Sequence, residues 1–218
     1  MISKRLLSAS EYIKGYNVLA DCGTDHGYLP IFCLENNYVT KAYASDNKEG
    51  PLNNAIANIK QADLEKAVIP VLADGLSYLN EEVDVVSILG MGGRLIISIL
   101  EKAPLDNVKR LVIIANSENE QLRDFLKRND WKIVAEELIK EKAKYYQLQV
   151  LERGKMELSN FEKEFGPLII KEKSDIFKEM INKQITNLSK ALSLTTNSES
   201  IKKIKNRIEV LERVIRWI

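Results

Sequence analysis

The sequence predicts an α/β protein built on a mostly parallel sheet, and three observations carry that expectation. Short apolar runs of strand length alternate with segments of helical period as far as Arg153. Four of those runs end in an acid or a glycine: Asp21, Asp46, Asp74-Gly75 and Gly90. The first run passes through the glycine-bearing turn Asp21-Cys22-Gly23-Thr24-Asp25-His26-Gly27 straight into the apolar segment from Tyr28 to Leu34. Strand, turn and helix in that order is how doubly wound sheets hold nucleotide-like ligands at the carboxyl ends of their strands.

Each element has its own local signal. Residues 3–14 read as an amphipathic helix with Leu6, Leu7 and Tyr12 as buried candidates. The apolar run after Asn17 is a buried strand. Lys41–Asp46 is a second strand ending in an acid, and the run from Val68 leads to Asp74 and Gly75 as a third. Residues 51–61 form a helix with Leu52, Ala55, Ile56 and Ile59 on one face. Residues 83–89 are a fourth strand, followed by Gly90-Met91-Gly92-Gly93 and a helix over Gly93–Lys102. Residues 108–115 are a fifth strand and 118–129 a helix. Residues 131–139 and 145–151 close the sheet as an antiparallel pair, seven strands in all.

The first turn points to a particular ligand. A pyrophosphate site wants G-x-G-x-x-G, so that bare backbone and a helix N-terminus face the phosphates. Here the glycines are Gly23 and Gly27, flanked by Asp21 and Asp25. Two carboxylates repel pyrophosphate and suit a cationic ligand with an amino group. S-adenosylmethionine carries a sulfonium, an ammonium and no phosphate. Asp46 lies at about the distance beyond the first turn, roughly 20 residues, at which an acid accepts hydrogen bonds from ribose hydroxyls. An acid or backbone group at Asp74-Gly75 is placed to receive the exocyclic amine of adenine. The glycines around Met91 let backbone approach a ligand closely, or simply make a tight strand-to-helix turn. Asp46 and Asp74 also suit helix caps and turns. His26, the single histidine, fits a site role or a loop cap.

After Gly154 the character changes, so the sequence divides into a domain over 1–154 and a helical domain over 155–218. Ile176, Phe177, Met180, Ile181, Ile185, Leu188 and Leu192 give one helical pattern, and Ile201, Ile204, Ile208, Leu211 and Ile215 a second, with 195–198 between. Steps of three and four predict an antiparallel coiled-coil hairpin. The second helix carries Lys202, Lys203, Lys205 and Arg207, a solvated face or a grip on phosphate.

Composition sets the outer bounds. With 218 residues, 45% hydrophobic content and a formal net charge of +1, the chain builds a substantial core and is not a uniformly basic nucleic-acid binder. The basic charge concentrates in the tail and leaves the first domain slightly acidic. No apolar run reaches the roughly 18 residues that span a membrane, and the N-terminus lacks a secretory signal. Two Cys and one His are too few for a zinc cluster or a disulfide framework. The expectation is a cytoplasmic protein with no metal and no obligate protein partner.

With these residues in place, the chain resembles the bacterial tRNA (adenine-N1) methyltransferases that act at tRNA position 22, the TrmK type. The resemblance rests on the stretch from Leu19 through Gly-Thr-Asp-His-Gly-Tyr-Leu-Pro30, on Ala44-Ser-Asp-Asn47 with Gly50-Pro51-Leu52, on Asp74-Gly75-Leu76 and on Leu89-Gly-Met-Gly-Gly93. Leu122-Arg123, Trp131 and Lys144-Tyr-Tyr146 continue it. It implies a class I S-adenosylmethionine-dependent, Rossmann-like fold acting on tRNA. Asp21, Gly23, Asp25, His26 and Gly27 would belong to the cofactor loop, Asp46 and Asn47 would hold the ribose, and Asp74 and Gly75 the adenine end. Gly90, Met91 and Gly92 would border the pocket for the target base. The chain departs from the family's pattern at Cys22, at Ile114-Ala115 before Asn116, and at Gln147, where a Glu is usual.

Adenine N1 is largely unprotonated at neutral pH, so the chemistry is mainly alignment. Acceptors help as positive charge develops on the base. Asn116 and the carbonyls around Gly90 and Met91 are candidates, and Tyr28 stacks on a base or packs. The alternative reading is a non-catalytic RNA-binding protein that retains the methyltransferase fold. A nicotinamide-dependent oxidoreductase lacks its third glycine here.

Overall fold

A computed structural model describes residues 2–80 and 82–217. Its strands are β1 (Val18–Cys22), β2 (Lys41–Asp46), β3 (Val68–Leu72), β4 (Val85–Met91), β5 (Arg110–Ala115), β6 (Trp131–Glu141) and β7 (Lys144–Arg153). They form one sheet in the order β3-β2-β1-β4-β5-β7-β6. Pairing is parallel from β3 through β5, and β7 runs antiparallel to both β5 and β6. The sequential order reverses between β1 and β4. The connections leaving these two strands diverge, which opens a crevice at their carboxyl ends.

Both faces of the parallel strands are covered, as such sheets require. The helices α1 (Lys4–Glu11), α2 (Tyr28–Glu35) and α3 (Glu49–Gln61) cover one face, and α4 (Gly93–Lys102) and α5 (Asn119–Arg128) the other. Alternation along the strands feeds both layers. Val86, Ile88, Leu111 and Ile113 pack with Ile96, Ile99, Leu122 and Leu126, while Val85, Val112 and Ile114 pack with Ala9, Ile13, Leu29 and Ile59. Ile114 and Ala115, where the chain departs from the family's pattern, are therefore buried strand residues.

Three expectations are corrected. The fourth strand runs on to Met91, with a register irregularity between Leu89 and Met91, so Gly90 and Met91 belong to the strand end rather than to a free turn. Leu7 and Ile56 are 44% and 41% exposed; the buried faces of their helices are Ala9–Ser10 and Leu52, Ala55, Ile59. A helical period leaves such boundary positions undetermined until the layer beneath is known.

The chain divides into compact units 1–166 and 167–218, whereas composition alone placed the break after Gly154. The helix α6 (Asn160–Phe165), opened by a capping box between Ser159 and Glu162, falls in the first unit. Arg123 on α5 holds it there. This side chain is fully buried with Glu136, and its five N–H groups are all used. Nε and Nη2 donate to Glu136 Oε1 at 3.0 and 2.8 Å, Nη2 to Gln147 Oε1 at 2.7 Å, and Nη1 to the carbonyls of Lys163 and Glu164 at 3.0 and 3.3 Å. Gln147 keeps an acceptor at the position where the family's pattern has Glu. A side chain at Gly166 (φ +90°) would strike Glu136 and Arg123 within 2.8 Å, so the chain must turn there on a glycine.

The second unit contains α7 (Pro167–Glu172), α8 (Asp175–Leu194) and α9 (Ser198–Trp217), with α8 packed on α9. Phe177, Met180, Ile181, Leu211 and Val214 are its buried side chains on the two long helices. Val214 was absent from the expected apolar pattern. Among the described residues, no helix is long and apolar enough to cross a membrane.

Candidate active site

The carboxyl ends of β1, β2 and β3 are tied together by backbone. Gly23 N and Thr24 N both donate to Ser45 O, at 2.8 and 2.9 Å, so the first turn is anchored on the end of β2. Ala73 N donates to Asp46 O at 3.0 Å and brings the loop after β3 alongside. Asn58 Nδ2 on α3 donates to His26 O at 2.8 Å and holds the far side of the first turn. Asp46 Oδ1 accepts from Lys48 N at 3.0 Å, a turn that directs the carboxylate and leaves its second oxygen for a ligand.

These ties gather one set of expected residues around a hollow of about 70 Å³. Gly23, Asp46, Asn47, Asp74, Gly75 and Met91 line it, joined by Cys22, Ala73, Leu95 and Ile99. None of the lining residues is a Lys or Arg, so the site offers a phosphate no cation. Met91 Cε fills the space beside Gly23, only 2.2 Å from where a Cβ on that residue would lie. Cys22, Ala73, Leu95 and Ile99 were not anticipated. Leu95 and Ile99 are one helical turn apart on α4, and Leu95 is 53% exposed, an exposed apolar side chain beside a turn of glycines.

The other expected residues of the first unit do not line this hollow. Asp21 is buried, and Ser87 Oγ donates to its Oδ1 at 2.6 Å. Burial pushes its carboxyl above the usual range, against the pull of the Ser87 and Thr24 hydroxyls. Burial, with Asp21 alongside, pushes the Cys22 thiol up to about 12, which keeps it protonated at neutral pH. Asp25 and His26 are exposed, 3.6 Å apart, and Gly27 caps α2. The His26 ring stacks on Tyr28 with centroids 5.1 Å apart, and Tyr28 is 51% exposed, so the two present an aromatic ledge.

The end of β4 meets the end of β5 at Asn116. Its backbone N donates to Met91 O at 2.8 Å, and its Nδ2 donates to Gly90 O. With the amide nitrogen so engaged, the exposed Oδ1 is the open acceptor. Glycine is demanded most strictly at Gly93, where a Cβ would lie 2.7 Å from the carbonyls of Ser117 and Glu118. At Gly92 a Cβ would meet Ser117 Oγ at 3.3 Å, so part of the Gly-Met-Gly-Gly pattern serves the packing of α4 on the β5–α5 connection.

The family model for TrmK, tRNA (adenine(22)-N(1))-methyltransferase, matches residues 19–213. This chain belongs to the TrmK family. It is similar to the tRNA (adenine(22)-N(1))-methyltransferase of Bacillus subtilis, 29% identical over 230 residues, covering 98% of this chain and 97% of that protein. Solved structures match along almost the whole chain, among them two with a bound cofactor or its product. Sp1610 of Streptococcus pneumoniae in complex with S-adenosyl-L-methionine superposes with a TM-score of 0.92 at 36% identity, covering 99% of this chain and all of that one. TrmK of M. capricolum in complex with S-adenosyl-homocysteine superposes with a TM-score of 0.88 at 31% identity, covering 99% and 98%. The chain thus has the Rossmann-like methyltransferase fold.

Proposed function

We infer that this chain transfers a methyl group from S-adenosylmethionine to N1 of the adenine at position 22 of tRNA. The observation that carries this reading is the convergence of Gly23, Asp46, Asn47, Asp74 and Gly75 on one hollow without cations, in a chain of this family. That set of acceptors suits a ligand with ribose hydroxyls, an adenine amine and an ammonium, and no phosphate. Bound S-adenosylmethionine supplies an electrophilic methyl group on a sulfonium.

The residues divide the work. Asp46 and Asn47 hold the ribose, and Asp74 with the backbone at Gly75 takes the adenine end. Leu95 and Ile99 supply apolar contact. Ligand pockets of this kind occupy about 300–1,000 Å³, so the Met91 side chain, flexible and unbranched, swings aside from Gly23 when the site fills. Asn116 Oδ1 and the remaining lone pair of Gly90 O accept from the exocyclic amine of the target adenine. The N1 lone pair then forms the new N–C bond as the S–C bond breaks, and the positive charge passes to the base, where these acceptors stabilise it. No proton has to leave N1, so His26 needs no role as a base. The ledge of Tyr28 and His26 offers a stacking surface for a base drawn from its helix.

Incubation with unmodified tRNA and mass-spectrometric mapping of the methylated base tests the reading. N1-methyladenine at position 22 is expected; tight tRNA binding with no transfer would favour the non-catalytic alternative. Asp46→Ala is expected to weaken S-adenosylmethionine binding by about 1–3 kcal/mol, the scale of a lost charged hydrogen bond. Calorimetry on the folded variant checks it, and an unchanged affinity removes Asp46 from the ribose site.

The α8–α9 pair, read as a coiled-coil hairpin, is proposed to supply part of the tRNA affinity. Lys202 and Lys205 lie three residues apart on one flank of α9, and Lys203 and Arg207 four apart on the other. Lys203 pairs with Glu199 at 2.6 Å. Neutralising all four is expected to reduce tRNA affinity and to flatten its salt dependence by about 0.9 in log–log slope for each phosphate that the helix no longer neutralises. Equal affinities and slopes across a salt series would make this face a solvated one.

A further inference from the structure

We propose that Arg5 grips a phosphate of the tRNA strand next to the target adenine, held ready for it by Glu141 and Tyr146. This rests on the reading of the chain as a tRNA methyltransferase and names a contact at the mouth of its site. Arg5 lies in the first turn of α1, and its side chain is 30% exposed. Its Nε donates to Glu141 Oε2 at 2.9 Å, while Glu141 Oε1 accepts from Lys4 N at 2.9 Å, so both oxygens of the carboxylate are engaged. The guanidinium carbon sits 4.4 Å from the centroid of the Tyr146 ring. Nη1 lies 3.8 Å from the position a Cβ would take on Gly90, the residue whose carbonyl is held by Asn116 Nδ2.

Three features make this a phosphate grip. The planar fork is fixed on one edge by Glu141 and on one face by Tyr146. Among the described residues, Nη1 and Nη2 donate no hydrogen bond, and a fork with that edge free matches two phosphate oxygens. The turns after β1 and β3 and the end of β2 carry Asp25, Asp74 and Asp46, so a phosphate drawn toward these strand ends with an extruded base needs a cation to meet it. A contact to the adenine ring itself is the wrong chemistry, because methylation makes that ring cationic and a guanidinium against it would oppose the reaction.

The test measures tRNA binding across a salt series, with KM and kcat for methyl transfer and calorimetry of S-adenosylmethionine as a check on the fold. Arg5→Gln is expected to weaken tRNA binding and raise KM about tenfold, with the log–log salt slope shallower by about 0.9 and S-adenosylmethionine affinity retained. Arg5→Lys is expected to keep the slope and lose part of the affinity, since an ammonium does not present a fork. Tyr146→Leu keeps the charge and removes the stack, so it should weaken binding with the slope unchanged. An Arg5→Gln isotherm and slope equal to those of the unaltered chain would overturn the proposal, as would a fall in kcat at constant KM. Failure of the unaltered chain to bind tRNA overturns it together with the function on which it rests.

Discussion

Arg123→Met should cost the protein about 3–5 kcal/mol of stability, the scale on which breaking one side of a buried ion pair acts. Glu136 would be left as a fully buried carboxylate without its cation, and the carbonyls of Lys163 and Glu164 would lose the donor that closes α6. Burial pulls the Arg123 guanidinium below its ordinary value and Glu136 opposes that pull, so the arginine is tolerated because the carboxylate is present. The double variant Arg123→Met/Glu136→Leu removes both charges and should recover much of the loss, since well-packed apolar replacements of buried pairs are often neutral. Denaturant unfolding of the three proteins checks this. A single variant that loses less than about 1 kcal/mol would show that water or a neighbouring group compensates Glu136.

Asp21→Asn should act in opposite directions on stability and on cofactor binding. Burial raises the folded-state pKa of Asp21 above its unfolded value. Folding therefore favours the protonated form, and stability falls as pH rises from the unfolded pKa through the folded one. The asparagine removes that slope and should leave the ligand-free protein more stable at neutral pH, with Ser87 still able to donate to Oδ1. Binding follows the reverse sign. A ligand ammonium needs the carboxylate, so affinity for S-adenosylmethionine should rise with pH through the same window and release a proton. The asparagine variant should lose about 5- to 150-fold in affinity, from about 1–3 kcal/mol of charged interaction. Calorimetry in two buffers of different ionisation enthalpy reads the proton directly. An affinity and proton count unchanged by the substitution would show that Asp21 serves packing alone.

Much of the first unit was legible because its signals are local. The acids and glycines after β1, β2, β3 and β4 follow from turn chemistry over a few neighbouring residues, and Gly23, Asp46, Asn47, Asp74, Gly75 and Met91 line one hollow. The ends of the elements were less legible. The apolar run of β4 gave no reason to continue past Leu89; its continuation depends on pairing Met91 with Ala115, a contact between distant segments. Ile56 and Val214 show the same limit for helices, since the layer packed beneath decides which edge of an apolar face is covered.

By itself the sequence determined the alternation of strands and helices, the family and the chemical character of the first turn, because period and turn type depend on nearest neighbours. Only the tertiary structure decided that Asp21 is buried while Asp25 and His26 are exposed. It alone set the partners of Arg123, brought Leu95 and Ile99 to the hollow at the strand ends, and placed Arg5 beside Gly90 with Glu141 and Tyr146. These pairings cross more than a hundred residues in the case of Arg5 and Glu141. No local propensity encodes them. They arise when the sheet buries its two faces and the helices covering it have one way to close over the strand ends.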